Sequence, residues 1–241
     1  MSERRQQRFS PSRIAAAIAD CGVYTVPVAA RLLHERAATI ERWAFGYRRR
    51  GKGYRPAIVT DIPPIGSSRA ITFLELVELM FVQALLRTGL SWPKVREASR
   101  VAARLLKDER HPFATRSWFA DPAALYLRLG EEHNEDLLVE VAGHAQLAME
   151  PVLQPYLKQL DFDSRGVARR WFPMGRDAAV VLDPRRSFGM PITVGAGVPT
   201  ETLARLNSAG DTVETIAAWY RMDEAEVDAA IRYEEALTFA A

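Results

Sequence analysis

From residue 23 onward, apolar positions recur at helical spacing in bursts separated by turn signals. In "YTVPVAARLLHERAATIERWAFGY", Thr25 can cap a helix carrying Val28, Ala29, Leu32 and Leu33, and a break at His34 to Arg36 leads into a second helix carrying Ile40, Trp43 and Ala44. "TFLELVELMFVQALLRTGLSWPKVREASRVAARLL" predicts two stronger helices. Thr72 and Glu75 stand at capping-box spacing, and Leu76, Val77, Met80, Phe81, Ala84 and Leu85 form a broad apolar face. Gly89 stops that helix; Ser91, Trp92 and Pro93 start the next, which buries Val95, Val101, Ala102 and Leu105. Upstream, Ser10 before Pro11 opens a helix through "PSRIAAAIAD" that Gly22 can end.

Beyond residue 110 the pattern changes. "HPFATRSWFADPAALYLRL" alternates and turns at Asp121-Pro122 like a β-hairpin, "EDLLVEVAG" adds a strand, and "AMEPVLQPYLKQL" a short helix broken at Pro155. In "DFDSRGVARRWFP", Asp161 and Asp163 have no further ligand at calcium-loop spacing and read as a solvated turn. "AAVVLD" and "GMPITV" predict paired strands around "PRRSFG". Three helices close the chain: one from Thr200 to a stop at Gly210, then "TVETIAAWY" and "DEAEVDAAIRYEEAL". The expected fold class is α+β, mostly α.

One spacing occurs twice. A helix-turn-helix needs a small residue where the helices cross, a tight turn four residues on, and an apolar plug ten residues after the small one. Ala30, His34 and Ile40 fit, with His34 where glycine is usual; Ala217, Arg221 and Val227 fit again. An ordinary helical hairpin has the same periodicity, so charge has to separate the readings.

The formal net charge of +2 conceals an asymmetry: residues 1–120 carry 21 Lys/Arg against 10 Asp/Glu, and the remainder 11 against 20. Arg48, Arg49, Arg50, Lys52 and Arg55 crowd into eight residues just after the second helix of the first copy, with Tyr54 among them. In a DNA-reading helix-turn-helix the second helix enters the major groove and a following wing meets the backbone. Arg36, Thr39 and Arg42 then face the duplex, each arginine able to take a guanine edge or a phosphate. "YRPAIV" and "SRAITF" read as the strands of the wing, with Arg69 on the second. The second copy carries Asp223, Glu224, Glu226 and Asp228 where phosphate would lie, which suits protein contact instead.

Other chemistry is sparse. The single cysteine, Cys21, excludes an internal disulfide and reads as a small buried apolar residue, which with the absence of an apolar leader points to the cytoplasm. No apolar run is long enough for a membrane span. The four histidines lack zinc spacing, "GAGVP" lacks the ending of a phosphate loop, and no nucleophile arrangement appears, so neither cofactor, metal nor enzymatic activity is expected.

The order helix-turn-helix, wing, then the pair opened by "FLELVELMFVQALLRTGLSWPKVREA" resembles the DNA-binding domain of MerR-like regulators over residues 23 to 106, without their metal-sensing cysteines or long coiled coil. From Val181 the chain resembles a small winged-helix family of uncharacterised bacterial domains, through Asp183, Pro184, Gly189, Pro191, Gly197, Thr200 and the closing "AGDTVETIAAWYRMDEAEVDAAIRYEEAL". Head and tail together resemble the longer VapB-type antitoxins. That resemblance implies a homodimer that represses its own operon by binding double-stranded operator DNA and neutralises a PIN-like ribonuclease toxin. Trp219, Tyr220, Glu224, Asp228 and Tyr233 are the expected dimer or toxin contacts. The alternative is a stand-alone MerR-like regulator whose tail dimerises or binds a small ligand. The expected organisation is a basic arm with a leading helix (1–22), a DNA-binding head (23–110), a β-containing connector (111–175) and an acidic second winged helix-turn-helix-like domain (176–241).

Overall fold

A computed structural model of the chain describes residues 21–49, 53–55, 57, 69–87, 89–96, 99, 111–115 and 154–239. Residues 1–20 of the expected arm and leading helix (1–22), the expected core positions Val101, Ala102 and Leu105, the hairpin around Asp121-Pro122 and the strand in "EDLLVEVAG" lie outside the described residues. The molecule is mixed α and β with small sheets. Among the described residues no helix is long and apolar enough to cross a membrane.

The head begins with β1 (Val23–Thr25), α1 (Val26–Leu32) and α2 (Ala37–Phe45). Thr25 Oγ1 accepts the Val28 N–H at 3.4 Å, the expected cap. A hairpin follows, β2 (Tyr47–Arg49) with β3 (Gly53–Arg55), and then β4 (Ala70–Thr72) and α3 (Phe73–Arg87). Thr72 and Glu75 form the expected capping box: Glu75 Oε2 accepts the Thr72 N–H at 2.7 Å and Thr72 Oγ1 the Glu75 N–H at 3.4 Å. Residues 92–96 are helical, and Trp92 packs on Trp43 of α2 with ring centroids 5.4 Å apart.

The strand pairing differs from expectation. The hairpin forms from "YRR" and "GYR", with Arg48 opposite Tyr54, rather than from "YRPAIV" and "SRAITF". β4 lies within "SRAITF" but pairs antiparallel with β1, Tyr24 opposite Ile71, and both residues are buried. A pair of three-residue strands whose central residues are both apolar gains more from that core than β4 would gain on an exposed hairpin. Cys21, expected inside, is exposed.

α3 is buried on nearly every side, which identifies the middle of the core. Its polar side chains are spent on joints: Gln83 Nε2 donates to the Leu33 carbonyl at 2.9 Å, and Glu78 Oε1 accepts the Ala114 N–H at 2.8 Å.

The rest of the described chain contains α4 (Gln154–Lys158), β5 (Leu160–Phe162), β6 (Ala168–Trp171), β7 (Val180–Leu182), β8 (Pro191–Thr193), α5 (Thr200–Ser208), α6 (Val213–Tyr220) and α7 (Glu224–Phe239). Pro155 is the second residue of α4. The four strands form one antiparallel sheet in chain order, spanning both sides of the expected boundary at 175/176. The two aspartates read as a solvated turn are structural instead. Asp163 accepts the N–H groups of Arg165 and Val167, each at 2.9 Å, and organises the β5–β6 turn. Asp161 pairs with both Arg170 and Arg176, whose guanidinium groups also lie 5.6 and 5.4 Å from the centre of the Phe172 ring.

α7 joins head to tail because it has two apolar stripes. Ala229, Tyr233 and Leu237 enter the core that contains α1 and α3, whereas Val227, Ala230 and Ile231 close a smaller cluster with Leu203, Ile216 and Ala217. The seam has polar fastenings too. Tyr24 Oη donates to the Gly189 carbonyl at 2.7 Å, and Arg31 reaches Glu234 at 3.5 Å. Glu234, 7% exposed, also accepts from Thr200 Oγ1.

Burial pushes the phenols of Tyr24 and Tyr233 well above their ordinary range, with nearby Asp183 adding to the shift at Tyr24 and Glu234 at Tyr233. A group whose folded-state pKa is raised lends stability that is intact below its unfolded pKa and lost above it. Stability should therefore fall by about 1.4 kcal/mol per pH unit per tyrosine once pH passes about 10. Urea unfolding between pH 9 and 11 measures this; Tyr24→Phe and Tyr233→Phe should each flatten the decline, and an unchanged slope would contradict it.

Candidate nucleic-acid interface and tail surface

The two helix-turn-helix spacings produce the same local structure. Thr25 caps α1 and Thr212 caps α6. His34 and Arg221 both have φ of 52°, and Ala30 and Ala217 accept the N–H groups of Glu35 and Met222 at 2.9 and 3.1 Å. Ile40 and Val227 are both fully buried plugs. The left-handed turn costs a non-glycine residue about 1–2 kcal/mol, part of which glycine returns through its freer unfolded chain. His34→Gly and Arg221→Gly should therefore each stabilise by about 0.5–1 kcal/mol, read from denaturant midpoints; a loss of stability would mean that the native side chain compensates.

Around the first copy the surface is positive. Residues 36–55 include seven Lys/Arg and one acid, Glu41. Arg36 is exposed at the start of α2, as its N-cap residue without a side-chain capping bond. Arg42 lies back along the helix, its guanidinium donating to the Ala38 carbonyl at 3.1 Å and to Thr39 Oγ1 at 3.5 Å, so these two site residues form one polar patch. Arg69, just before β4, pairs with Glu41 at 3.2 Å and lies over the Phe45 ring at 5.2 Å. It neutralises Glu41, the one acid of residues 36–55, rather than adding a free cation.

The hairpin is fixed to the end of α2. Gly46, with φ of 73°, turns the chain out of the helix, and Tyr54 Oη donates to the Phe45 carbonyl at 3.2 Å. Arg48 is exposed beside its cross-strand neighbour Tyr54. Arg49 lies opposite Gly53 and Arg55 opposite Tyr47 in the ladder. Arg50 and Lys52 lie outside the described residues. Among the described residues Arg36, Arg42 and Arg48 make no ion pair, whereas Arg31 is held by Glu234 of the tail. From Arg36 to the hairpin the nine-residue helix spans about 14 Å, enough for the two ends to meet different phosphates of a duplex.

The tail surface is different. Trp219 is 59% exposed, and Tyr220 beside it is exposed as well. Glu224 is exposed at the start of α7, and Asp228 pairs with Arg232 at 2.7 Å. Tyr233 differs from expectation: it is 3% exposed and packs in the core shared with the head, because its helical position faces α1 rather than solvent. Glu226 is engaged too, accepting the Gly195 N–H at 2.8 Å. The residues that join the halves, Tyr24, Gly189, Arg31 and Glu234, carry no local sequence signal beyond the invitation to a turn in "DPRRSFG".

A family described as a protein of unknown function (DUF433) matches residues 180–233, the end of the sheet through most of α7. A curated protein of Mycobacterium tuberculosis (strain ATCC 25618 / H37Rv), "Putative antitoxin VapB45", is 31% identical over 216 residues, covering 83% of this chain and 89% of that protein. A second from the same strain, "Uncharacterized protein Rv2308", is 26% identical over 230 residues, covering 89% and 90%. The crystal structure of Rv2018 from M. tuberculosis has the same overall fold, with a TM-score of 0.63, 26% identity, and coverage of 86% of this chain and 96% of that one. By the extent of its identity with VapB45, from the head through the tail, the chain belongs to the VapB45 family.

Proposed function

We propose that this protein is a non-catalytic, DNA-binding antitoxin: its head holds double-stranded operator DNA to repress its own operon, and its tail neutralises a PIN-like ribonuclease toxin. The observation that carries the antitoxin reading is the family relation to VapB45, which spans both halves of the chain. The DNA reading is supported by Arg36, Arg42 and Arg48, which are exposed and make no ion pair among the described residues. The working division is residues 23–110 for DNA and 176–241 for dimerisation and toxin contact, with Arg36, Thr39, Arg42, Arg48–Arg50, Lys52, Tyr54 and Arg55 on the duplex. Trp219, Tyr220, Glu224 and Asp228 face protein. Acidic groups suit a ribonuclease cleft because they oppose the charge of its RNA substrate. Two cytoplasmic copies, each presenting one head, would place two basic edges on a two-fold operator.

Co-expression with the product of the adjacent gene, followed by purification, tests the reading. The expected result is a stable complex in which ribonuclease activity is suppressed and which retards the operon's own promoter fragment. A neighbouring product that neither binds nor is inhibited would overturn it.

A further inference from the structure

The two helix-turn-helix copies differ in what covers them. In the head, Leu32 and Leu33 stand two and three residues after the small residue Ala30, and both are buried. α3 closes over this end of α1, with Gln83 donating to the Leu33 carbonyl and to Glu35 Oε1 at 3.0 Å. In the tail, Trp219 and Tyr220 stand two and three residues after Ala217, on a helix with the same cap, turn and plug. They are larger than the leucines, yet both are exposed, and Trp219 more than half so. Among the described residues, none fills in the tail the place that α3 fills in the head.

We propose that this open end of α6 is a docking face for an amphipathic helix of a partner protein, one whose apolar stripe is edged by Lys and Arg. Aromatic side chains exposed side by side are the residue types that anchor protein interfaces. The partner's charge follows from the surroundings. Glu214 lies on the same helix, Asp223 and Glu224 lie just after it, and all three are exposed. Residues 200–241 hold nine acids against three bases. A second copy pairing through this face would set those acids against their own kind. Nor does α2 of the described head offer a suitable helix: the exposed positions along it and its N-cap are Arg36, Ala37, Ala38, Glu41 and Arg42, without a large apolar group. The occupant is thus a different, basic protein, and on the antitoxin reading, on which this inference rests, it is a helix of the toxin.

The test uses the full chain and the purified product of the adjacent gene, with affinity read by calorimetry and fold by circular dichroism. W219A/Y220A should weaken binding by about 100-fold or more, and E214K/E224K by about tenfold with a shallower salt dependence. W219A/Y220A should keep the native melting transition, E214K/E224K should remain folded with a slightly lower melting temperature because its lysines oppose the dipoles of α6 and α7, and both should keep the wild-type affinity for the promoter fragment. Full toxin affinity in W219A/Y220A would overturn the docking face while leaving the antitoxin reading intact. Failure of the wild-type chain to bind the product would remove the antitoxin reading itself. If instead W219A/Y220A converts an oligomer of this chain alone to a smaller species, the face is a self-association surface and the proposal is wrong.

Discussion

Replacing Arg48, Arg49 and Arg50 together by alanine is expected to lower affinity for the promoter fragment by about 100-fold at moderate salt. Every phosphate left without its arginine should also reduce the slope of log affinity against log salt by about 0.9. The hairpin explains why the effect should be selective. Tyr54 fastens it to the end of α2 and Arg48 is exposed, so the variant should keep the wild-type circular dichroism and melting temperature. Gel retardation across a salt series supplies the measurement; unchanged affinity and slope would mean that these arginines are merely solvated. Arg36→Ala and Arg42→Ala ask a further question. If either meets a guanine edge, its removal should cost about 1–3 kcal/mol and relax preference at one base pair, whereas an arginine that holds a phosphate supports binding to all sequences alike.

Gly189→Ala is expected to destabilise the whole molecule by about 3 kcal/mol or more. Gly189 has φ of +80°, which disfavours any side chain, and an added Cβ would lie 2.5 Å from Tyr24 Oη and 3.0 Å from the Gly22 Cα. Tyr24 is this close because its hydroxyl donates to the Gly189 carbonyl, so the methyl group would displace a buried hydrogen bond and push against backbone at once. A cycle with Tyr24→Phe separates the contributions. Alone, that substitution should cost about 1–2 kcal/mol for the carbonyl left unpaired. Combined with Gly189→Ala it should cost less than the sum, since the nearest clashing atom is gone. Strict additivity in chemical denaturation would show that the two residues do not share the joint.

Legible in the chain is what depends on near neighbours. The cap at Thr25, the box at Thr72 and Glu75, and the plugs Ile40 and Val227 follow from periodicity and from side chains that reach their own backbone. The strands β7 and β8 are visible as short β-rich runs around a turn. What escapes is long-range. β4 contains no mark that its partner is β1 rather than the hairpin, since "AIT" would pair with either. The contact between Tyr24 and Gly189 spans 165 positions and rests on a glycine indistinguishable from any turn glycine. Tyr233 departs from expectation because periodicity favours a helix with one apolar side. The second stripe of α7, Ala229, Tyr233 and Leu237, is as helical in spacing as the first, and only the presence of the head shows that it too is covered. For the proposed DNA surface, charge density in the sequence marks the basic stretch, whereas the role of Arg69 as a counter-ion for Glu41 emerges only in three dimensions.

The double-sided α7 also bears on how such proteins can diversify. A gene rearrangement that attached a different tail to this head would strip Tyr233, Leu237 and the partner of Arg31 from the head's interior. The hybrid would open a cavity in the very part that was inherited intact. With the toxin on the proposed α6 face, new specificities would be more readily acquired by point changes there than by swapping whole segments, and a chimera made at residue 176 should fail to accumulate unless the inner stripe of α7 is carried along.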